Sequence, residues 1–131
     1  MAKIAFYDTR SYDKEAFSKE NEKRNFEIEY FDFRLNEKTA FTAHGFDAVC
    51  VFVNDVVNSE VFETLKSCGV KIVLLRCAGF NNVDLSAAAK TGIKVARVPA
   101  YSPHAVAEHA VALLLALTRH IPQAYIRTKT A

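Results

Sequence analysis

Glycine is scarce: four residues in 131, at positions 45, 69, 79 and 92. No two are close enough to form G-x-G-x-x-G, and no G-x-x-x-x-G-K-S/T occurs. The chain therefore has no standard dinucleotide or P-loop phosphate cradle of its own. Cysteine is limited to Cys50, Cys68 and Cys77, with no C-x-x-C pair, which argues against a disulfide scaffold or a thiolate metal site. No H-E-x-x-H and no G-x-S-x-G are present either. The longest uncharged apolar stretch, residues 110–117, falls far short of the ~20 residues a membrane helix needs. The N-terminus lacks the hydrophobic region and cleavage site of a secretory leader. These absences fit a reducing, cytoplasmic setting, with neither nucleic acid nor membrane as partner.

What is present is ordinary globular material. Half of the residues are hydrophobic, and 17 Lys+Arg against 15 Asp+Glu leave a formal charge of +2. That excludes a disordered or low-complexity chain. Residues 1–50 mix 8 basic with 10 acidic side chains, and only the last 35 residues lean basic, 4 to 1. No concentrated patch of the kind that binds nucleic acid emerges. A chain of this length buries roughly two thirds of its unfolded surface, enough for a core.

Apolar runs alternate with helical spacing. Residues 3–7, 26–33, 48–53, 70–75 and 93–98 read as strands. Between them, helices are expected over 13–22, capped by Asp13, over 59–68, capped by Ser59, and over 85–90, with a short helix or turn over 35–44. Gly45, Gly69 and Gly92 mark ends. Strand and helix in regular succession give an α/β fold, a flavodoxin-like doubly wound parallel sheet. A boundary is expected at 99–103.

Beyond it, a helix over 104–120 opens with Ser102 as candidate cap and Pro103 at the first helical position. Its residues 105–117 are almost wholly apolar. Such a helix is expected to be buried on all sides, by a second copy of the chain or by further chain. The tail after Pro122 carries no strand signal and no evident terminal element. The whole reads as part of something larger.

The segment 76–82, Arg-Cys-Ala-Gly-Phe-Asn-Asn, is the strongest physical candidate for chemistry. It follows a buried strand, at the carboxyl edge where open α/β sheets bind ligands. Small Ala78 and Gly79 let a ligand approach the backbone, and their N–H groups suit a carboxylate, as in a nest; the alternative is a tight structural turn. Glu108 and His109 adjoin on a helix and so do not face each other. His109 reads as structural, His104 near the helix start faces solvent or a cleft, His120 suits a helix terminus, and His44 sits in a turn. Cys77 has no paired base and reads as packing.

Leu75-Arg76-Cys77-Ala78-Gly79-Phe80-Asn81-Asn82-Val83-Asp84 resembles the substrate-loop signature of the D-isomer-specific 2-hydroxyacid dehydrogenases. Val98-Pro99-Ala100-Tyr101-Ser102-Pro103-His104-Ala105-Val106-Ala107-Glu108-His109-Ala110 resembles their hinge and first inter-domain helix. The run with Tyr7, Tyr12-Asp13, Phe31-Asp32-Phe33 and Val51-Phe52-Val53-Asn54-Asp55 is most similar to the fermentative D-lactate dehydrogenase branch. The resemblance covers essentially the whole chain.

It implies an NAD-dependent enzyme interconverting pyruvate and D-lactate, with a small 2-oxoacid or 2-hydroxyacid as substrate. Residues 1–100 would be the N-terminal part of a split catalytic domain. Residues 101–131 would be the hinge and the helix leading into a nucleotide-binding Rossmann domain that the sequence does not contain. The amides of Ala78 and Gly79 would hold the substrate carboxylate, Tyr101 would reach into the pocket from the hinge, and Phe52 would line it near the substrate methyl. Val106 would lie beside the nicotinamide of NAD. The family's catalytic Arg, His and Glu match no residue here, no metal is implied, and a homodimer through helix 104–120 is expected. The fragment alone is expected to be inactive. The alternatives are a dehydrogenase of another D-2-hydroxyacid, and a non-enzymatic flavodoxin-like ligand-binding or interaction module.

Overall fold

A computed structural model describes residues 1–130. They form two compact units, Met1–Pro99 and the segment from Ala100 onward.

The first unit is built on five parallel strands: β1 (Lys3–Phe6), β2 (Glu27–Tyr30), β3 (Ala48–Val51), β4 (Ile72–Leu75) and β5 (Lys94–Arg97). Their order in the sheet is β2-β1-β3-β4-β5. This is the flavodoxin-like order expected from the alternation. Each strand is four residues long, shorter than its apolar run in every case. Phe31 and Phe33 leave β2 and instead join Tyr7 in an aromatic group, with ring centroids 5.1 Å (Tyr7–Phe31) and 5.0 Å (Phe31–Phe33) apart.

The helices are α1 (Ser11–Asn21), α2 (Ser59–Ser67) and α3 (Leu85–Thr91), with a 3-10 turn at Ala40–Ala43. The caps differ from expectation. Asp13 lies inside α1, and its carboxylate accepts the Arg10 N–H at 3.0 Å. The cap of α2 is Asn58 rather than Ser59: its side-chain oxygen accepts the Val61 N–H at 3.1 Å. Asp84 caps α3 the same way through the Ala87 N–H. An acceptor one residue before the first helical turn reaches its free N–H groups best. Gly92 ends α3 at φ +74, a left-handed conformation that a Cβ disfavours.

The core lies on one sheet face. Val49, Val51, Val73 and Leu75 point there and meet Val61, Phe62 and Leu65 of α2 and Ala87 and Ala88 of α3. Each fully buried large apolar side chain contributes about 1.5–3 kcal/mol. On the other face Phe6 packs edge-on against Phe17 of α1 at 4.8 Å. Cys50 and Leu74 point to that side too, by strand alternation.

The second unit is a pair of helices, α4 (Pro103–Thr118) and α5 (Ile121–Thr130), joined through His120 at φ +52. Pro103 stands in the first turn as expected, but Ser102 makes no side-chain cap bond. One expectation is corrected here. The tail forms a helix, α5, because residues 121–130 hold no glycine and their one proline sits in the first turn, where its missing N–H is harmless. No residue of α4 is buried, and the unit holds only α5 beside it; the expectation that a second copy or further chain covers this helix is not contradicted by that exposure. Among the described residues, no helix is long and apolar enough to cross a membrane.

Candidate functional site

Strands β1 and β3 are neighbours, yet their crossovers run to opposite sides of the sheet. That is the topological switch point, where open α/β sheets leave a crevice outside the strand carboxyl ends. Three segments meet at this edge: residues 7–10 after β1, 52–55 after β3 and 76–82 after β4.

Arg76 ties them together. Its guanidinium lies 4.5 Å from the Phe6 ring centroid and 4.8 Å from that of Phe52. Nη2 donates to the Asp8 carbonyl at 2.7 Å, and Nε lies 3.6 Å from the Asp13 carboxylate. Nη1 is buried with no hydrogen-bond partner among the described residues. Asp8 itself takes a left-handed φ of +47, and its buried carboxylate pairs with Arg10 at 3.0 Å.

Phe52 is held by its backbone as well as its ring. Its N–H donates to the Asp55 carboxylate at 2.5 Å, and its carbonyl accepts from Asn82 Nδ2 at 2.9 Å. Asn82 Nδ2 also donates to the Asp55 carbonyl at 2.9 Å. The Asp55 carboxylate takes a second N–H, from Leu35, at 2.7 Å. Burial raises the Asp55 carboxyl above the ordinary aspartate value, partly offset by these N–H donors. Phe52 is thus fixed to the far end of the 76–82 segment by Asn82 and to its near end by Arg76.

Ala78 and Gly79 lie between those two ends. The carbonyls around them are engaged. Cys77 C=O accepts the Val98 N–H at 3.2 Å, Ala78 C=O accepts from Arg97 Nη1 at 3.0 Å, and Gly79 C=O accepts the Cys77 thiol at 3.2 Å. The N–H groups of Ala78 and Gly79 donate to no acceptor among the described residues. No residue of the segment takes a left-handed φ, so this is not the alternating turn of a nest. A Cβ at Gly79 would meet nothing within 4 Å, so the space beside it is open. Two unpaired donors at an open position can accept a carboxylate by charge-assisted hydrogen bonds.

The other titratable groups here are poor reagents. Burial pushes the Tyr7 phenol up to about 12, and its oxygen shares a 2.8 Å hydrogen bond with Thr42. Burial likewise pushes the Cys50 thiol up to about 12, and raises the Cys77 thiol. A neutral thiol is a weak nucleophile. Among the described residues, no group of three His, Cys, Asp or Glu side chains is placed to hold a metal ion.

Phe52, Ala78 and Gly79 are therefore brought to one edge. Tyr101 and Val106 belong to the second unit, where both are exposed. A cavity of about 520 Å³ opens at this edge: Phe52, Arg76 and Asp13 line it with Cys50, Leu74 and Phe17, whereas Ala78 and Gly79 do not. Sequence reasoning missed Asp55, Asn82 and Arg97 as organisers. Asp55 left one trace, as the only acid between Asp47 and Glu60. Arg97 left none.

With this geometry in hand, similarity to known proteins is informative. Residues 4–131 match the family model of the D-isomer specific 2-hydroxyacid dehydrogenase catalytic domain. The chain is 57% identical over 129 residues to a D-lactate dehydrogenase of Escherichia coli K12, covering 98% of this chain and 39% of that protein. The apo structure of D-lactate dehydrogenase from Escherichia coli superposes with a TM-score of 0.79 at 56% identity, over 98% of this chain and 41% of that one. A D-2-hydroxyisocaproate dehydrogenase structure gives a TM-score of 0.81 at 30% identity, over 98% and 39%. The chain thus spans about two fifths of the length of the relatives it matches. Its fold, its loop after β4 and its match along almost every residue agree: the chain belongs to the D-isomer specific 2-hydroxyacid dehydrogenase family.

Proposed function

We propose that this chain supplies the substrate-anchoring part of an NAD-dependent D-lactate dehydrogenase, which reduces pyruvate to D-lactate reversibly. The observation that carries this reading is the pair of unpaired amides at Ala78 and Gly79, flanked by engaged carbonyls. They hold the substrate carboxylate. Phe52 borders the substrate methyl, and Tyr101 closes on the substrate from the hinge. Residues 1–100 serve as the first part of the catalytic domain, and residues 101–131 lead toward the nucleotide-binding domain. The apolar face of helix 104–120 pairs with a second copy, and the protein works in the cytoplasm.

The described residues do not form a dinucleotide site. Val106 is an exposed apolar side chain suited to lie against a nicotinamide ring, but no glycine-rich phosphate loop accompanies it. Hydride donation is the cofactor's chemistry and also needs a proton donor at the substrate oxygen. No group at the Ala78–Gly79 edge offers one. The part played here is to bind and orient.

The test has two arms. The 131-residue chain alone, given pyruvate and NADH, should show no turnover above background; clear turnover overturns the division of labour. The longer protein that carries this segment should prefer pyruvate over branched and aromatic 2-oxoacids. Preference for a bulkier acid assigns it to another member reaction of the family.

A further inference from the structure

The carboxylate cradle is shaped from outside the loop, by Arg97. This residue ends β5, and its Nη1 reaches three carbonyl oxygens: Ala78 at 3.0 Å, Pro99 at 2.9 Å and Val98 at 3.3 Å. Its guanidinium stacks 5.2 Å from the Phe80 ring centroid, so the side chain is held at both the head and the flat face. In a trans peptide the C=O and the following N–H point in opposite directions. Holding the Ala78 carbonyl toward β5 therefore turns the Gly79 N–H away from β5. The neighbouring peptide is set in the same way, because the Val98 N–H holds the Cys77 carbonyl and so aims the Ala78 N–H.

We infer that Arg97 is a positioning residue for substrate binding: it fixes the direction of the Gly79 amide that receives the substrate carboxylate. The inference rests on the proposed carboxylate site and deepens it. It assigns Arg97 no contact with substrate. What matters is that the flat guanidinium lies over Phe80 while one of its nitrogens reaches the carbonyls, a placement a lysine ammonium does not reproduce.

The experiment is steady-state kinetics on the full-length active protein with pyruvate and NADH. Arg97→Ala and Arg97→Lys should both raise the KM for pyruvate about tenfold while kcat moves less than about twofold, the pattern of lost uniform binding. Arg97→Met keeps the apolar stem on Phe80 and serves if the alanine variant folds poorly. Gly79→Ala keeps the amide but puts a methyl into the open space beside it, so it should raise KM by itself, and its effect should not add to that of Arg97→Ala, because both displace the carboxylate from one amide. If Arg97→Lys behaves as the parent while Arg97→Ala is impaired, the charge acts directly and the inference is overturned. If Gly79→Ala raises KM and no Arg97 variant does, the inference fails but the carboxylate site stands. If Gly79→Ala leaves KM unchanged, the site itself is wrong, and the inference falls with it.

Discussion

The guanidinium of Arg76 sits over Phe52, 4.8 Å from its ring centroid, while its Nη2 reaches back to the Asp8 carbonyl. One side chain thereby joins the strand ends on both sides of the switch point. Arg76 and Asp13 have side chains only 9% and 10% exposed, so removing the arginine strands a buried carboxylate. Arg76→Ala should lose about 3 kcal/mol of stability in urea unfolding. Arg76→Lys should recover less than about half of that, because an ammonium cannot stack and fork at once. A lysine variant as stable as the parent would contradict this account.

Asp55 gives the protein a pH dependence of unusual sign. Burial holds its folded carboxyl above the unfolded value of 3.8. The protonated form suits the fold better, so its contribution is fully present below 3.8 and is lost as pH rises through the raised folded value. The stability difference between the parent and Asp55→Asn should therefore shrink on going from acid to neutral pH. Exposed Asp47, held below the ordinary value first of all by Lys71, should act in the opposite sense. Its contribution is present at neutral pH and fades as pH falls. Urea midpoints across the acid range check both signs.

The cysteines should label in a definite order. Cys50 and Cys77 are buried with raised thiols, while Cys68 is half-buried. Iodoacetamide at neutral pH should modify Cys68 first in the folded protein, read by peptide mass spectrometry. Prior labelling of Cys77 would mean that the loop after β4 opens more readily than its hydrogen bonds suggest.

Two glycines should respond differently to alanine. At Gly92 the left-handed φ of +74 makes a Cβ costly although only Lys66 Nζ lies near, at 3.9 Å. Gly92→Ala should destabilise by about 1 kcal/mol. Gly79 has no such φ and open space beside it, so Gly79→Ala should stay within about 0.5 kcal/mol of the parent. Thermal unfolding of both variants tests the contrast, and a large loss at Gly79 would point to a structural turn.

Strand and helix succession, and with it the flavodoxin-like class, could be read from apolar spacing because that spacing is local. The caps could be read only to within a residue or two, since Asn58 beside Ser59 and Arg10 near Asp13 are rival candidates that geometry alone separates. The position of Ala78 and Gly79 after a buried strand was legible too. The roles of Asn82, Asp55 and Arg97 were not. Each acts across 19 to 30 residues of sequence, as Asn82 does on Phe52 and Arg97 on Ala78, and no periodicity records such pairs. Helix α5 escaped notice because Pro122, which stands in its first turn, reads equally well as the stop of α4.

The strand order also dictates a schedule for folding. β1 is first in the chain but second in the sheet, and its register with β3 joins Ile4 to Ala48. A chain leaving the ribosome can assemble β1, α1 and β2 early, yet β1 keeps one unpaired edge until β3 emerges. Pairings of such sequence separation are slow to form. The Arg76–Asp8 hydrogen bond spans 68 residues and needs β4 in place. The crevice at the switch point consequently cannot close before β4 has emerged, so a chain released earlier would hold a half-built sheet with an open edge and no anchor for substrate.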